Sequence, residues 1–132
     1  SLRSASISDR RMQMKTTRNG ALLLDDCYNA NPTSMAAAIE TLAQISATRK
    51  VAVLGIMAEI ENPESAYAKI AHMAQAGNIE IIAVGTDGYG RESTSVDDAA
   101  RRVSECDEST AVLVKGSRVA GLERIVDAVV LN

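Results

Sequence analysis

The feature that most constrains the fold of this chain is a unit in which a short apolar run leads into a polar turn and then into a helical pattern. Its clearest copy begins at residues 21–24, which are Ala-Leu-Leu-Leu, and continues through Asp25 and Asp26 to Asn31 and Pro32. A short apolar run is typical of a buried parallel strand, and an Asn–Pro pair favours the start of a helix. The turn between them is therefore expected at the carboxyl end of a strand, where open α/β sheets bind ligands.

The same unit recurs along the chain after an N-terminal hairpin. Residues 11–26 are predicted to form that hairpin around Asn19-Gly20, a strong turn signal. Alternating strands and helices then predict a Rossmann-like, doubly wound α/β domain with a mostly parallel sheet and one antiparallel strand from the hairpin. Further strands are predicted at residues 51–54, 79–84 and 111–114, and helices at about 32–46, from an Asn62-Pro63 start to Gly77, after a Ser95 cap, and around Leu122, Ile125, Val126 and Val129.

The composition argues against several classes of function. The chain has 132 residues, a net charge of −3, no Trp, no Phe and three Tyr. An acidic chain with few aromatic rings lacks the basic surface and stacking platforms of nucleic-acid-binding domains. No apolar run is long enough to span a membrane, and Cys27 and Cys106 lack metal-ligand spacing. We expect a cytoplasmic protein with reduced thiols, with a linker remnant at residues 1–10 and one domain over residues 11–132.

Polar groups are expected to meet where the parallel strands end. Asp25 and Asp26, the loops at Gly55 and Gly85, and the run at residues 115–118 should surround one crevice. Such a mixture of charges suits a nucleotide or a zwitterionic ligand, and the Asp26 carboxylate is expected to be exposed to that crevice rather than paired in the core. The alternative is that Asp26 and Lys115 form an ordinary structural ion pair between strand ends.

Common catalytic motifs are absent from the sequence. It contains no P-loop, and Gly88-Tyr89-Gly90 is only an isolated match to a dinucleotide-binding motif. The single histidine, His72, lies within a helical pattern and is interpreted as a surface or packing residue. No catalytic residue and no metal site are therefore assigned within this chain.

Four segments, in order, resemble one known family. Residues 25–35 resemble the D-D-x-Y-N-A-N-P-x-S-M signature of the Mur ligases that add D-alanyl-D-alanine. Residues 53–59 resemble their V-L-G-D-M-x-E segment, residues 113–118 their L-V-K-G-S-R motif, and Arg11-Met12 an R-M pair near the start of the same domain. The resemblance covers nearly the whole chain from about Arg11 onward.

The resemblance implies a role in peptidoglycan synthesis. Such ligases use ATP in the cytoplasm to join D-alanyl-D-alanine to UDP-N-acetylmuramoyl-tripeptide, which contributes to cell wall formation. This chain would be their third, C-terminal domain, while the P-loop and the Mg²⁺ ligands would lie in a central domain outside this sequence. The chain alone is therefore expected to be inactive and to act by domain closure and substrate orientation.

The resemblance also assigns roles to residues on the nucleotide side. Arg11 would contact the ATP phosphates and Asp26 the ribose hydroxyls. Asn29 and Asn31 would shape the nucleotide loop, although Asn31 is equally suited to be only a helix cap.

The resemblance places the dipeptide at the end of the strand predicted at residues 111–114. Lys115, Ser117 and Arg118 would contact D-alanyl-D-alanine. Arg118 is suited to the terminal carboxylate because a guanidinium group binds a carboxylate through two parallel hydrogen bonds. Gly116 is expected to let the ligand approach the backbone, and Ser117 is expected to cap the last helix.

Three residues depart from the family pattern. Ile56 replaces the usual Asp, Tyr67 replaces the usual His of the following helix, and Glu61 replaces a Gly. The family's polar contacts therefore cannot be assigned to this region.

Two other functions remain as alternatives. A related ligase of the folylpolyglutamate synthetase type would share the domain, but residues 28–32 and 115–118 favour the dipeptide-adding branch. A phosphoacceptor receiver domain would also place acids after its first strand. It would need an Asp after the middle strand, where this chain has Gly55 and Ile56.

Overall fold

A twisted five-stranded sheet in the order β1-β2-β5-β3-β4 forms the centre of the molecule. The computed structural model describes residues 12–28, 30–58, 60–117 and 120–131. β1 pairs antiparallel with β2, and the β2–β5, β5–β3 and β3–β4 pairs are parallel. The elements are β1 Gln13–Thr16, β2 Leu22–Asp26, α1 Pro32–Gln44, β3 Arg49–Leu54, α2 Pro63–Ala76, β4 Glu80–Ala83, α3 Val96–Ser104, β5 Thr110–Lys115 and α4 Glu123–Val129.

This arrangement confirms the predicted doubly wound α/β architecture with an antiparallel strand from the hairpin. The predicted element boundaries differ from the observed ones by a few residues, which is usual at the frayed ends of helices and strands. The expected linker at residues 1–10 lies outside the described part of the chain.

Two separate apolar layers cover the two faces of the sheet. Alternate residues of each strand point to opposite faces, so Leu24 and Leu113 belong to the layer under α1 and α2, whereas Leu23 and Val112 belong to the layer under α3 and α4. All of these side chains are fully buried. The sheet is covered on both sides, as expected for a parallel sheet whose strands are almost wholly apolar.

The helix starts agree only partly with the sequence prediction. Ser95 caps α3 by accepting a hydrogen bond from the amide of Asp98 at 3.0 Å, as predicted. Asn62 occupies the cap position of α2 but makes no side-chain cap bond. Ser117 does not cap the last helix, because α4 begins at Glu123 and its cap position is Leu122. The first of these caps depends only on local sequence, and the last depends on how the preceding loop is folded.

The topology brings the carboxyl ends of four parallel strands to one edge of the sheet. Because β5 lies between β2 and β3, the loops after these three strands are neighbours. Within the described residues, no helix has the length and apolar character needed to cross a membrane.

Candidate functional site

The loops that follow β3 and β5 are joined by backbone hydrogen bonds. We call residues 55–58 the β3 loop, and Gly116 with Ser117 the β5 loop. The amide of Gly55 donates to the carbonyl of Lys115 at 2.9 Å, and the amide of Ser117 donates to the carbonyl of Ile56 at 2.7 Å. The β3 and β5 loops therefore continue the strand pairing beyond the sheet, and a shift in one loop is transmitted to the other.

The β3 loop is also tied to the loop that follows β2. We call residues 27–28 and 30–31 the β2 loop. The amide of Ala58 donates to the carbonyl of Ala30 at 3.0 Å. The β3 loop thus lies between the two segments that carry the predicted nucleotide and dipeptide residues, and it bonds to both.

Asp26 and Lys115 form a buried ion pair at the ends of β2 and β5. The Lys115 ammonium donates to Oδ2 of Asp26 at 2.9 Å, and the two residues are only 2% and 5% exposed, Lys115 being the more buried. The expectation that the Asp26 carboxylate is exposed to the crevice and unpaired is therefore wrong, because Asp26 lies in register with Lys115 on the neighbouring strand. Asp25 points to the opposite face and pairs with Lys15 of β1 at 2.7 Å.

Asn31 is the N-cap of α1. Its side-chain Oδ1 accepts a hydrogen bond from the Ser34 backbone amide at 2.9 Å, and its backbone amide donates to the Ser34 hydroxyl at 3.2 Å. This reciprocal capping box, followed by Pro32, explains why α1 begins here. A surface cavity of about 630 Å³ opens beside this helix start and is lined by Asn31, Pro32, Thr33, Ser34, Ala37, Ile60 and Glu61.

Ser117 has a buried hydroxyl with no hydrogen-bond partner within the described residues. The residue is 4% exposed and is the second residue after β5. We expected its neighbour Gly116 to leave room for a ligand, but the space beside it is filled by the protein itself. A Cβ at Gly116 would lie 2.8 Å from Leu122 and 3.1 Å from the Gly55 backbone. Gly116 is instead required for the close approach of the β3 loop to the β5 loop.

Two tyrosines, which the sequence did not mark as functional, support the β3 loop. Tyr67 of α2 accepts a hydrogen bond from the Met57 amide, and Tyr89 donates to the Gly55 carbonyl, both at 2.8 Å. The signal that could have found them is the aliphatic composition: a buried tyrosine in a core without Phe indicates that its hydroxyl has a polar partner. Gly88 lies against the Tyr67 ring, where a Cβ would come within 2.8 Å.

Cys27, which the β2 loop also contains, is not activated. Burial raises the pKa of its thiol, and the neighbouring Asp25 carboxylate raises it further. The thiol lies 3.7 Å from the Val114 carbonyl, to which it donates a weak hydrogen bond. Since the thiolate is the nucleophilic form, these surroundings keep Cys27 unreactive.

Other predicted residues are placed as follows. Arg11, Asn29 and Arg118 lie outside the described residues. His72 is an exposed residue of α2, as predicted. Across residues 12–28, 30–58, 60–117 and 120–131, no group of three or more His, Cys, Asp or Glu side chains is arranged to hold a metal ion.

Curated proteins similar to this chain share one name. The chain is 33% identical to the UDP-N-acetylmuramoyl-tripeptide–D-alanyl-D-alanine ligase of Mycobacterium tuberculosis, in an alignment that covers 96% of this chain and 32% of that protein. It is 34% identical to the Escherichia coli protein of the same name, over 84% of this chain and 27% of that protein. The chain thus spans about a third of the length of these relatives.

Solved structures have the same fold. A crystal structure of MurF from Acinetobacter baumannii superposes with a TM-score of 0.72 at 26% identity, covering 89% of this chain and 29% of that one. MurF from Thermotoga maritima in complex with ADP superposes with a TM-score of 0.71 at 19% identity, covering 90% and 30%. The family described as "Mur ligase, glutamate ligase domain" matches residues 10–118. With this match over most of its length and the fold of these structures, the chain belongs to the Mur ligase family and carries its glutamate ligase domain.

Proposed function

We propose that residues 11–132 are the C-terminal domain of a cytoplasmic, ATP-dependent ligase that joins D-alanyl-D-alanine to UDP-N-acetylmuramoyl-tripeptide during peptidoglycan synthesis. The support is the name shared by relatives that are 33% and 34% identical to this chain. The four motifs that resemble this branch of the family favour the same assignment.

The observation that carries the proposal is the unpartnered, buried hydroxyl of Ser117 among the residues that the structure describes. Buried polar atoms are nearly always hydrogen-bonded, and an exception calls for an explanation. A polar group of the acceptor dipeptide, bound where β5 ends, would supply the missing partner. Ser117 and Arg118 would then contact the dipeptide, and Arg118 would bind its terminal carboxylate.

The nucleotide side of the proposal rests on the β2 loop and the cavity beside it. That cavity of about 630 Å³ is in the size range of small-molecule sites, roughly 300–1,000 Å³. Asn31 at the start of α1 would orient the nucleoside, with Asn29 in the same loop. Asp26, held by Lys115 at the end of β2, would support that loop from below. Arg11 would reach the phosphates.

Lys115 would connect the two sides of the site. Its ammonium holds the Asp26 carboxylate, and its carbonyl accepts from Gly55 of the β3 loop. It would therefore fix the relative positions of the nucleotide and dipeptide residues.

ATP would supply the phosphoryl group that activates the carboxylate of the tripeptide. As the family resemblance implies, the P-loop and the Mg²⁺ ligands would belong to another domain of the ligase. This domain would contribute by holding the amine close to the activated carboxylate and by excluding water on closure.

The proposal is tested with the full-length ligase that contains this domain. Purified enzyme is incubated with ATP, Mg²⁺, UDP-N-acetylmuramoyl-tripeptide and D-alanyl-D-alanine, and the amide product is followed by mass spectrometry. Product formation should require all four components, and L-alanyl-L-alanine or D-glutamate should not replace the dipeptide. The 132-residue chain, assayed alone, should release no phosphate.

Two results would reject the proposal. One is glutamate addition to a folate by the full-length enzyme, which would indicate a folylpolyglutamate-type ligase. The other is ATP turnover by the isolated chain, because the proposal places the activating groups in a different domain.

A further inference from the structure

We infer that Tyr67 and Tyr89 are positioning residues that hold the β3 loop in place and thereby align the nucleotide and dipeptide sides of the site. The inference rests on the proposed function, and it adds two residues that do not themselves touch a substrate. It is carried by the two 2.8 Å hydrogen bonds between these side chains and the β3 loop backbone.

Tyr67 acts at the middle of the loop. Its hydroxyl oxygen accepts from the Met57 amide. The residue before Met57 bonds to Ser117 of the β5 loop, and the residue after it bonds to Ala30 of the β2 loop. A displacement at Met57 is therefore passed to both neighbouring loops through single hydrogen bonds.

Tyr89 acts at the base of the same loop. Its hydroxyl donates to the carbonyl of Gly55, whose own amide donates to Lys115. The Gly55 peptide groups are thus fixed from two directions, by a side chain of the β4–α3 connection and by the end of β5. Gly55 is also closely packed, because a Cβ there would lie 3.1 Å from both Ala120 and Leu122.

The two rings form one unit. Their centroids are 4.8 Å apart and the rings meet edge to face at 71°. Both residues are buried, at 7% and 1% exposure. Gly88 lies against the Tyr67 ring where no Cβ would fit, and Gly90 has a φ of 83°, which favours glycine. The packing of the ring pair therefore explains Gly88, and backbone conformation explains Gly90.

The hydroxyl groups distinguish positioning from simple core filling. Phenylalanine would fill the same apolar space with the same ring, so packing alone does not require tyrosine. The polar atoms of both side chains are instead directed at backbone groups of one loop. The geometry of such supporting bonds controls how well a site is preorganised for its ligands.

The test compares three variants of the full-length ligase: Tyr67→Phe, Tyr89→Phe and the control Thr17→Val. Thr17 is buried, and its hydroxyl accepts from the Ala21 amide at 2.9 Å, so the control removes the same kind of bond. It lies in the hairpin turn, at the opposite end of β2 from the candidate site. The measurements are thermal stability, amide hydrogen exchange without ligands, and KM and kcat with each substrate varied in turn.

We expect Tyr67→Phe to speed exchange at residues 57–58 and 117 about tenfold or more, because the loop then opens locally. KM should rise about 3- to 10-fold for both ATP and D-alanyl-D-alanine, with kcat changed less, since the preorganisation of the binding residues is lost and both substrates bind more weakly. Tyr89→Phe should act in the same direction, with the larger effect on the dipeptide. Thr17→Val should lower stability to a similar extent and leave loop exchange and both KM values unchanged.

Loop exchange and KM values that stay at wild-type level in both tyrosine variants, while stability falls as in Thr17→Val, would overturn the inference. If the wild-type enzyme does not use the dipeptide, the proposed function fails, but loop exchange still decides whether the tyrosines position the loop. The two failures are therefore distinguishable.

Discussion

The Lys115 ammonium lies 2.9 Å from the Asp26 carboxylate, and the two charges are sealed from solvent at the adjoining ends of β5 and β2. Both side chains are buried, and each residue directly precedes a loop that carries candidate ligand residues. A buried charge is costly unless it is paired. Asp26 is thus a structural residue whatever its role toward the nucleotide.

Removing one partner of this pair should destabilise the fold strongly. Lys115→Met leaves the Asp26 carboxylate buried without its cation and should cost about 3–5 kcal/mol of unfolding free energy. Lys15→Met, which breaks the more exposed Lys15–Asp25 pair, should cost about 1 kcal/mol or less. Urea unfolding of each variant measures both.

A double variant separates pairing from packing. Lys115→Met combined with Asp26→Leu should recover a large part of the loss, because no charge is then left buried. If the double variant were as unstable as the sum of the single ones, the ion pair would not account for the loss.

Ser117→Ala should affect binding but not stability. The hydroxyl has no partner within the described residues, so removing it should leave stability unchanged or raise it by up to about 1 kcal/mol. In the full-length ligase, the KM for D-alanyl-D-alanine should rise about 3- to 10-fold, as expected for one lost hydrogen bond. Calorimetry and steady-state kinetics measure the two effects. A variant with reduced stability and an unchanged dipeptide KM would assign the hydroxyl to the fold.

The capping role of Asn31 can be separated from its proposed role in nucleotide binding. Asn31→Ala removes the bond to the Ser34 amide and should cost about 1 kcal/mol of stability. Asn31→Asp keeps an acceptor oxygen at the cap and should be nearly as stable as the wild type. If the amide nitrogen contacts the nucleotide, both variants should raise the KM for ATP. An unchanged KM in Asn31→Asp would leave Asn31 as a cap only.

Arg118→Lys should selectively weaken dipeptide use. Because a lysine cannot make the two parallel bonds of a guanidinium, the KM for D-alanyl-D-alanine should rise at least about tenfold, or roughly 1.4 kcal/mol. The KM for ATP should change little. Kinetics with each substrate varied in turn are the measurement, and an equal rise for both substrates would argue against an acceptor role.

Stability should fall in alkaline solution. Burial raises the pKa of Cys27 above its ordinary value of 9.0, and it also raises the pKa of Cys106 and Tyr89. Above pH 9 the unfolded chain therefore loses protons that the folded chain keeps, so the stabilisation present below pH 9 is lost as the pH rises. Each group that titrates only in the unfolded chain contributes up to about 1.4 kcal/mol per pH unit. Cys27→Ala should make this decline shallower in urea unfolding at about pH 8 to 10, and an unchanged slope would contradict the raised thiol pKa.

Local signals in the sequence were sufficient for much of the fold. The cap at Ser95 and the Asn31-Pro32 helix start depend on residues three positions apart, so they could be predicted directly. The alternation of apolar strands with helices was enough for the architecture, and family resemblance supplied the candidate site residues.

Contacts between distant parts of the chain could not be predicted. Asp26 and Lys115 are 89 positions apart, and the sequence left open whether they bind a ligand or each other. The strand register decides this, since it places them side by side. Tyr67 and Tyr89 form hydrogen bonds with backbone groups. Every residue has such groups, so the residue types alone could not indicate which ones the tyrosines bind.

The position of β5 has a consequence for how the molecule is made. Among the described residues, β5 follows the other four strands in sequence but lies between β2 and β3 in the sheet. A nascent chain interrupted before Thr110 holds two strand pairs, β1–β2 and β3–β4, without the strand that joins them in the sheet. The two pairs can be joined as they are in the sheet only after β5 has been synthesised, because β5 is the strand that pairs with both β2 and β3. The edge of the sheet that carries the candidate site is therefore completed only after β5 has been synthesised.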